Sequence, residues 1–347
     1  MIFYLFKLFI PITFVTERVV HRKEVIEIEQ KEYLLKMASL NIGAQPFVKW
    51  PGQKSQHIHI LTQALPSDFA EIPDVTYIEP FVGGGALLFH MLQTYPNIKR
   101  AVINDCNLDL IRAYNTVRDR AKELIAELKR IQKEFLPLDE EERHNYFNEL
   151  RDEFNERLSD GLRHSALFIF LNKTSNANYR TNGNGQFNGA YNHLQNPVIC
   201  DERTLLADSK LLQRVTITCD DYEKTYSEAC GNTFFFLDPP YRPTGKRHQQ
   251  TSFNDREQIR LKKFCDLLSH RHFQWMLTNS DGKSQDPDDT FMEQLYSNYN
   301  IERIWSKNAI VAKPEKREKL SELLVRNFSR EILSLRDVHC RQLSFAF

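Results

Sequence analysis

The sequence predicts an α/β protein built on a Rossmann-like sheet that carries an inserted module. Three observations support this prediction. Residues 75–81 read as a short buried strand followed by three glycines and a helix-like run, which is the order of a cofactor-binding unit. Residues 101–104 read as a second strand that ends at an acid and completes a βαβ-like unit. Residues 233–237 are continuously apolar, as strands buried on both faces of a parallel sheet are.

The remaining elements follow from the spacing of apolar residues. From Ala121 to Phe135 they recur every three or four positions, which predicts an amphipathic helix with one packing face. Beyond the central strand the pattern predicts two further helices, at 256–269 and 290–297. It also predicts two further strands, at 273–277 and 301–305.

Composition is that of an ordinary globular protein, with 41% hydrophobic and 27% charged residues. The 46 basic and 46 acidic side chains cancel, so a nucleic-acid surface would have to come from local segregation of charge. Six scattered cysteines without a CxxC pair fit neither a zinc site nor a disulfide framework. We therefore expect no metal, reduced thiols and a cytoplasmic location.

The first residues differ from the rest because Met1 to Val15 is largely apolar. No basic cluster precedes this run, no small-residue cleavage site closes it, and it is shorter than the ~20 residues of a spanning helix. We expect residues 1–40 to be an N-terminal extension or the result of a mis-assigned start, since Met37 offers another start. We expect no membrane anchor.

Charge is segregated between Gly161 and Cys200. This segment contains no Asp or Glu, and it holds eight Asn and four of the twelve glycines. The positive charge comes from Arg163, Lys173 and Arg180, and the run 182–185 favours a hairpin or tight loop. Such a segment suits contact with phosphates and base edges, although composition alone also fits a polar surface loop.

The glycine turn gains weight from its context, because FVGGGA is not the GxGxxG fingerprint. Asp105 lies 22 residues beyond Gly83 at the end of the next strand, where a carboxylate could accept hydrogen bonds from two ribose hydroxyls. A dinucleotide and an adenosyl-methionine would both satisfy that geometry.

Asp238-Pro239-Pro240-Tyr241 separates these two possibilities. The prolines fix the backbone and cannot donate, which leaves the Asp238 carboxylate and the Pro239 carbonyl as acceptors for a planar amino group. An amino group held in this way would be drawn toward tetrahedral geometry, ready for in-line attack on a sulfonium methyl. The Tyr241 ring could stack on the base, which would have to be flipped out of a duplex.

Six segments in this order resemble the DNA adenine-N6 methyltransferase family, in the Dam-like D12 class where the cofactor motif precedes the recognition insertion. The resemblance covers roughly Pro46 to Phe328 and rests on residues 47–54, 79–86, 104–111, 219–222, 238–241 and 316–324. It implies a Rossmann-like S-adenosyl-methionine-dependent methyltransferase sheet with an inserted, mostly helical target-recognition module carrying a β-hairpin. It divides the chain into a catalytic domain, 41–115 and 206–347, and a recognition insertion, 116–205.

The resemblance also implies roles for single residues. Asp105 would contact the ribose of S-adenosyl-methionine, Asp221 its adenine, and Asp238 would lie between cofactor and target base. The other implied cofactor contacts are Trp50, Lys54, Glu79, Phe81, Gly83 and Gly85. At Gln53 the sequence departs from the family, which often has a second glycine there.

In the insertion, residues 171–174, 179–182 and 185–188 match the family hairpin, but 189–192 (GAYN) replace its usual valine, proline, aromatic and glycine. The expected DNA contacts are Lys173, Arg180, Asn182 and Asn188. Arginine suits phosphate or guanine, and asparagine can pair with adenine. A GATC-like target is expected because many relatives modify GATC.

The leading hypothesis is therefore an adenine-specific DNA methyltransferase that acts on duplex DNA as a monomer, with or without a cognate restriction endonuclease. The alternatives are a methyltransferase with a cytosine, RNA or protein amide acceptor and a catalytically silent DNA-binding module. A nicotinamide oxidoreductase is disfavoured by the glycine spacing.

Overall fold

The computed structural model describes residues 43–52, 54–176, 179–242, 253–284, 286–305 and 321–329. The predicted 1–40 extension, Met37, Gln53 and residues 316–320 of the last matching segment lie outside the described residues. Contacts place Ala44 and the described residues after it in one compact unit.

The described part of the chain contains a seven-stranded mixed sheet in the order β3-β2-β1-β4-β5-β7-β6. Strands β1 to β5 pair in parallel, whereas β7 pairs antiparallel with both β5 and β6. In chain order the strands are Val75–Glu79, Ile98–Asn104, Val215–Thr218, Thr233–Leu237, Gln274–Ser280, Asn300–Trp305 and Ser321–Arg326. The strand order reverses between β1 and β4, and ligands of such sheets bind at the carboxyl ends of the strands at this point.

Helices connect the parallel strands, as such crossovers require. Helices α1 to α8 are Ile58–Gln63, Ala86–Thr94, Leu108–Phe135, Glu140–Asn155, Gly161–Thr174, Glu202–Leu212, Asp255–His270 and Phe291–Leu295. None of the described helices has the length and apolar character needed to cross a bilayer.

Two apolar clusters lie on opposite faces of the sheet. Phe234 and Phe236 of β4 belong to one cluster, and Phe235 and Leu237 belong to the other. Successive side chains of a strand point to opposite faces. The continuously apolar run therefore serves two cores, and the prediction of a central strand buried on both faces is confirmed.

Several predicted boundaries were wrong by a few residues. Strand β1 ends at Glu79, so Phe81 lies in the following loop, and β2 begins at Ile98 rather than at residue 101. The helix predicted at 290–297 is only Phe291–Leu295. The amphipathic helix is confirmed, but α3 already begins at Leu108 and has a non-helical residue at position 120.

The acid-free segment is not a loop throughout, because its first fourteen residues form α5. Ten of the eleven residues from 164 to 174 are buried in this helix, and the exception is Lys173. A helix that is buried on all sides shows no amphipathic period. The periodicity used for α3 could not reveal it.

Candidate active site

The carboxyl ends of the strands bring together residues that lie far apart in the sequence. Glu79 ends β1, Asp238 directly follows β4, and Thr278 lies near the end of β5. Because β7 runs antiparallel, its first residues lie at this same edge, with Glu322 opposite Ser280. The site thus combines acids from three strands with a hydroxyl.

Asp238 makes its described contacts through one oxygen. The Thr278 hydroxyl donates to Oδ1 at 2.6 Å, and the Lys54 ammonium lies 2.9 Å from the same atom. Burial raises the pKa of the Asp238 carboxyl, whereas these two donors oppose that rise. Both contacts leave Oδ2 as the carboxylate oxygen on which a further donor can bind.

Lys54 is almost fully buried, with 4% of its side chain exposed. Its Nζ also donates to the Gly52 carbonyl at 3.0 Å, lies 3.7 Å from Glu322 and sits 4.5 Å above the centre of the Tyr241 ring. A buried ammonium needs such partners, since an unpaired charge away from water is costly. Lys54 was expected to contact a cofactor, and the structure places it against the DPPY aspartate.

The DPPY backbone is held by buried amides that the sequence analysis did not identify. Gln258 donates to the Pro240 carbonyl at 3.3 Å, and Asn279 donates to Gln258 at 3.0 Å. Asn279 Oδ1 in turn accepts the Arg242 amide at 3.1 Å. Both amide side chains are fully buried. This chain of bonds fixes the loop more firmly than the two prolines alone would.

Tyr241 is held at its hydroxyl and on one face of its ring. Its hydroxyl donates to Glu322 Oε2 at 2.6 Å, and burial raises its pKa well above the ordinary value, so the hydroxyl stays protonated. Lys54 covers one face of the ring. Stacking of a base on Tyr241 stays a prediction, and it would use the face that Lys54 leaves open.

Glu79 is buried on β1, and the Tyr77 hydroxyl donates to its Oε1 at 2.5 Å. Burial raises the pKa of the Glu79 carboxyl to about 8, although the Tyr77 bond opposes this, and the nearby Asp238 charge adds to it. Glu79 is therefore mainly uncharged at neutral pH. Its expected contact with a cofactor stays a prediction.

The glycine turn adopts left-handed backbone at Gly83 and Gly85, with φ of 49° and 73°. A Cβ at Gly83 would lie 2.7 Å from Trp50, and one at Gly85 would lie 2.5 Å from the Tyr114 hydroxyl. Trp50 also stacks on Tyr179, with ring centres 5.2 Å apart. The glycines are thus required by packing of aromatic side chains, which the sequence analysis did not foresee.

Asp105 ties the end of β2 to this turn. Its Oδ2 accepts the Gly83 amide at 3.2 Å, and its Oδ1 accepts the Asn107 amide at 2.9 Å. Burial raises the pKa of Asp105, and these two amide bonds oppose the rise. Asp105 thus follows β2, as the sequence predicts, and it also binds the glycine turn; its ribose contact stays a prediction.

Asp221 caps the 3₁₀ helix Tyr222–Glu228 and accepts the Glu223 amide at 3.0 Å. Burial would raise its pKa, but a bond from Arg260 at 2.6 Å and the Glu223 amide lower it overall. The rings of Phe81 and Tyr222 pack 5.0 Å apart beside it. Phe81 thus contacts the residue that follows Asp221 in the chain, and the expected cofactor contacts of Phe81 and Asp221 stay predictions.

The expected DNA contacts fall into two groups. Arg180, Asn182 and Asn188 are exposed, whereas Lys173 is partly buried at the end of α5, where burial lowers its pKa. Asn182 uses its side-chain oxygen to accept the amides of residues 184 and 186 at 2.9 and 3.0 Å. Its side chain closes the turn, so a bidentate contact with adenine would require those bonds to open.

Two further expectations for this segment change in the structure. Arg163 pairs with Glu127 and Glu153, each at 2.8 Å, so its charge is used inside the protein. The hairpin is present as two isolated antiparallel bridges, Thr181–Phe187 and Ser175–Tyr191. The described residues contain no cluster of three or more His, Cys, Asp or Glu that could hold a metal.

The model of the D12 class N6 adenine-specific DNA methyltransferase family matches residues 50–310. The chain is 41% identical over 293 residues to the type II methyltransferase M.MjaIII of Methanocaldococcus jannaschii, covering 82% of this chain and 99% of that one. It is 30% identical over 298 residues to the type II methyltransferase M1.LlaDCHI of Lactococcus lactis subsp. cremoris, covering 83% and 96%. It is 25% identical over 284 residues to the DNA adenine methylase of Escherichia coli K12, covering 80% and 93%. These similarities do not favour the silent binding module or another acceptor.

Proposed function

The chain belongs to the D12 class N6 adenine-specific DNA methyltransferases, and we propose that it transfers a methyl group from S-adenosyl-methionine to N6 of an adenine flipped out of a short duplex motif. The observation that carries this proposal is that the described contacts of Asp238 use one of its two carboxylate oxygens. Lys54 and Thr278 bind one of its oxygens and leave the other for an incoming amino group. The Pro239 carbonyl, which we expect to face the same amino group, would accept its second hydrogen.

The glycine turn and Asp105 fit the proposed cofactor. Asp105 offers a partly exposed carboxylate beside the turn, and the packing of Trp50 and Tyr114 on Gly83 and Gly85 holds the turn before α2 in place. Trp50, Lys54, Glu79, Phe81 and Asp221 would complete the cofactor site. When bound, S-adenosyl-methionine supplies an electrophilic methyl group on sulfur.

The chain's own residues would prepare the acceptor. Asp238 Oδ2 would accept an N–H of the adenine amino group, which turns the nitrogen lone pair away from the ring. Tyr241, fixed by Glu322, would support the flipped base and help to offset the few kcal/mol that unstacking costs. Lys54 favours the ionised, accepting form of Asp238, because its charge opposes the effect of burial on the pKa of that carboxyl.

The wider setting follows as part of the proposal. Arg180 and Asn188 are exposed, which supports the proposal that the insertion binds duplex DNA. The boundaries 116–205 of the insertion stay a prediction. A monomer is sufficient, because one strand is modified at a time. A GATC-like target, a cognate restriction endonuclease and a cytoplasmic location also stay predictions.

The test is transfer of labelled methyl from S-adenosyl-methionine to unmethylated genomic DNA, with single-molecule sequencing to locate modified adenines. Wild type should modify adenine in one short motif. Asp238→Ala should abolish transfer, and Asp119→Ala, which changes an acid 52% exposed on α3, should leave it intact. Cofactor binding without transfer by the wild type would contradict the proposal.

A further inference from the structure

Glu322 contacts three side chains of the site from the start of β7. Its Oε2 accepts the Tyr241 hydroxyl at 2.6 Å, and it lies 3.7 Å from Lys54 Nζ and 3.8 Å from His57 Nδ1. Its side chain is 20% exposed. These neighbours hold the Glu322 carboxylate in one orientation, and its charge acts on Tyr241, Lys54 and His57.

Lys54 is shared between two carboxylates. The ammonium lies 2.9 Å from Asp238 and 3.7 Å from Glu322, above the Tyr241 ring that Glu322 also holds. Since the ammonium is buried, its position follows from where these partners lie. Removing Glu322 would leave Asp238 as the one described carboxylate within ion-pair distance of it.

We propose that Glu322 is a positioning residue for methyl transfer, which holds the Lys54 ammonium on Asp238 Oδ1 and the Tyr241 ring in place, so that Asp238 presents Oδ2 to the target amino group. This inference rests on the proposed function, in which Asp238 accepts that amino group. Glu322 acts through Lys54 and Tyr241 and need not touch the reacting atoms.

The charges around Asp238 give this proposal a signature. The groups that face it are Lys54 from the 3₁₀ turn Lys54–Gln56, Glu79 of β1, Thr278 of β5, Tyr241 after β4 and Glu322 of β7, with His57 behind Glu322. Burial raises the pKa of Asp238, Lys54 lowers it, and the Glu322 charge adds to the rise. Glu322→Gln removes that like charge but keeps an oxygen for the Tyr241 hydroxyl. If Lys54 stayed on Asp238, the lost charge alone would lower the pKa of Asp238. Lys54 has the larger effect on that pKa, so release of Lys54 from Asp238 should raise it, which a like charge without a positioning role would not do.

The first measurement needs no turnover. Carboxyl ¹³C NMR titration of Asp238, assigned with Asp238→Asn, should give a higher pKa in Glu322→Gln than in wild type. The matched control is Glu302→Gln on the neighbouring strand β6, where Glu302 pairs with Arg326 at 2.9 Å. The control should leave the pKa unchanged. An unchanged or lower pKa of Asp238 in Glu322→Gln would overturn the proposed positioning role.

The second measurement is single-turnover methyl transfer to DNA with saturating S-adenosyl-methionine. Glu322→Gln should slow transfer about tenfold and shift the acid limb of the pH–rate profile to higher pH, with DNA affinity within about twofold of wild type. Glu322→Ala, which also loses the Tyr241 bond, should slow it about a hundredfold. Wild-type rates and an unshifted limb in Glu322→Gln overturn the inference. If wild type transfers no methyl to DNA but Glu322→Gln still shows the titration shift, the proposed function is contradicted and the positioning role is supported.

Discussion

The close approach of Tyr114 to the glycine turn makes Gly85→Ala the sharpest test of the packing. An alanine at this left-handed position is strained by about 1–2 kcal/mol. Its Cβ would also lie 2.5 Å from the Tyr114 hydroxyl, which donates to the Gly83 carbonyl at 3.0 Å. Displacing that hydroxyl costs about 1 kcal/mol more. We expect Gly85→Ala to lower the free energy of unfolding by about 2–3 kcal/mol.

Two comparisons separate the strain from the collision. Gly185 has nearly the same φ, 76°, but no atom within 4 Å of an added Cβ, so Gly185→Ala should cost only the strain of about 1–2 kcal/mol. In a Tyr114→Phe background the hydroxyl is gone, and Gly85→Ala should likewise cost only the strain. Urea unfolding of wild type, the two single variants and the double variant forms a double-mutant cycle. The coupling free energy between positions 85 and 114 should be about 1 kcal/mol. Equal costs of Gly85→Ala in both backgrounds would refute the reasoning.

Two other predictions concern buried polar groups at the edge of α6 and α5. Burial raises the pKa of Asp208 to about 8, above the unfolded value of about 4, so the stability it contributes is present at low pH and lost as pH rises through 8. Asp208→Asn keeps the oxygen that accepts the Gln45 amide. Between about pH 5 and pH 8, the free energy of unfolding in urea should therefore fall less for this variant than for wild type. An equal fall in both proteins would contradict this prediction. Asn172 accepts the Lys49 amide at 2.7 Å and donates to the Lys49 carbonyl at 2.8 Å. Asn172→Leu should therefore lower the free energy of unfolding, measured with heat or urea, by about 3 kcal/mol. A decrease below about 1 kcal/mol would show that other groups replace the two hydrogen bonds.

Elements that carry a local signal could be predicted from the sequence. The strand at 233–237 has continuous apolar residues, and α3 has a three-to-four residue period, so each appears in the structure close to where the pattern places it. Helix α5 has neither signal, because nearly all of its surface is covered. The strand order is not a local property either, and β7 lies between β5 and β6 although it follows both in the chain.

The site residues likewise divide into those that the sequence signals locally and those that it does not. Asp105 and Asp238 were identified because each follows a recognisable strand, and both lie at the expected edge. Gln258 and Thr278 carry no motif, and their roles depend on side chains that meet only after the sheet forms. Glu322 falls within a segment that matched the family, but the match gave it no function.

The direction of β7 explains how a residue so late in the chain can act on the DPPY motif. Because β7 is antiparallel to β5, its first residues lie beside the carboxyl end of β5, and Glu322 is opposite Ser280. A parallel strand in this place would bring its last residues there, such as Arg326, and would add a cation beside Lys54. A slip of one residue would turn Glu322 to the other face of the sheet. The charge balance around Asp238 therefore depends on the direction and register of one strand, which is why the proposed role of Glu322 follows from topology and not from the motif in which it lies.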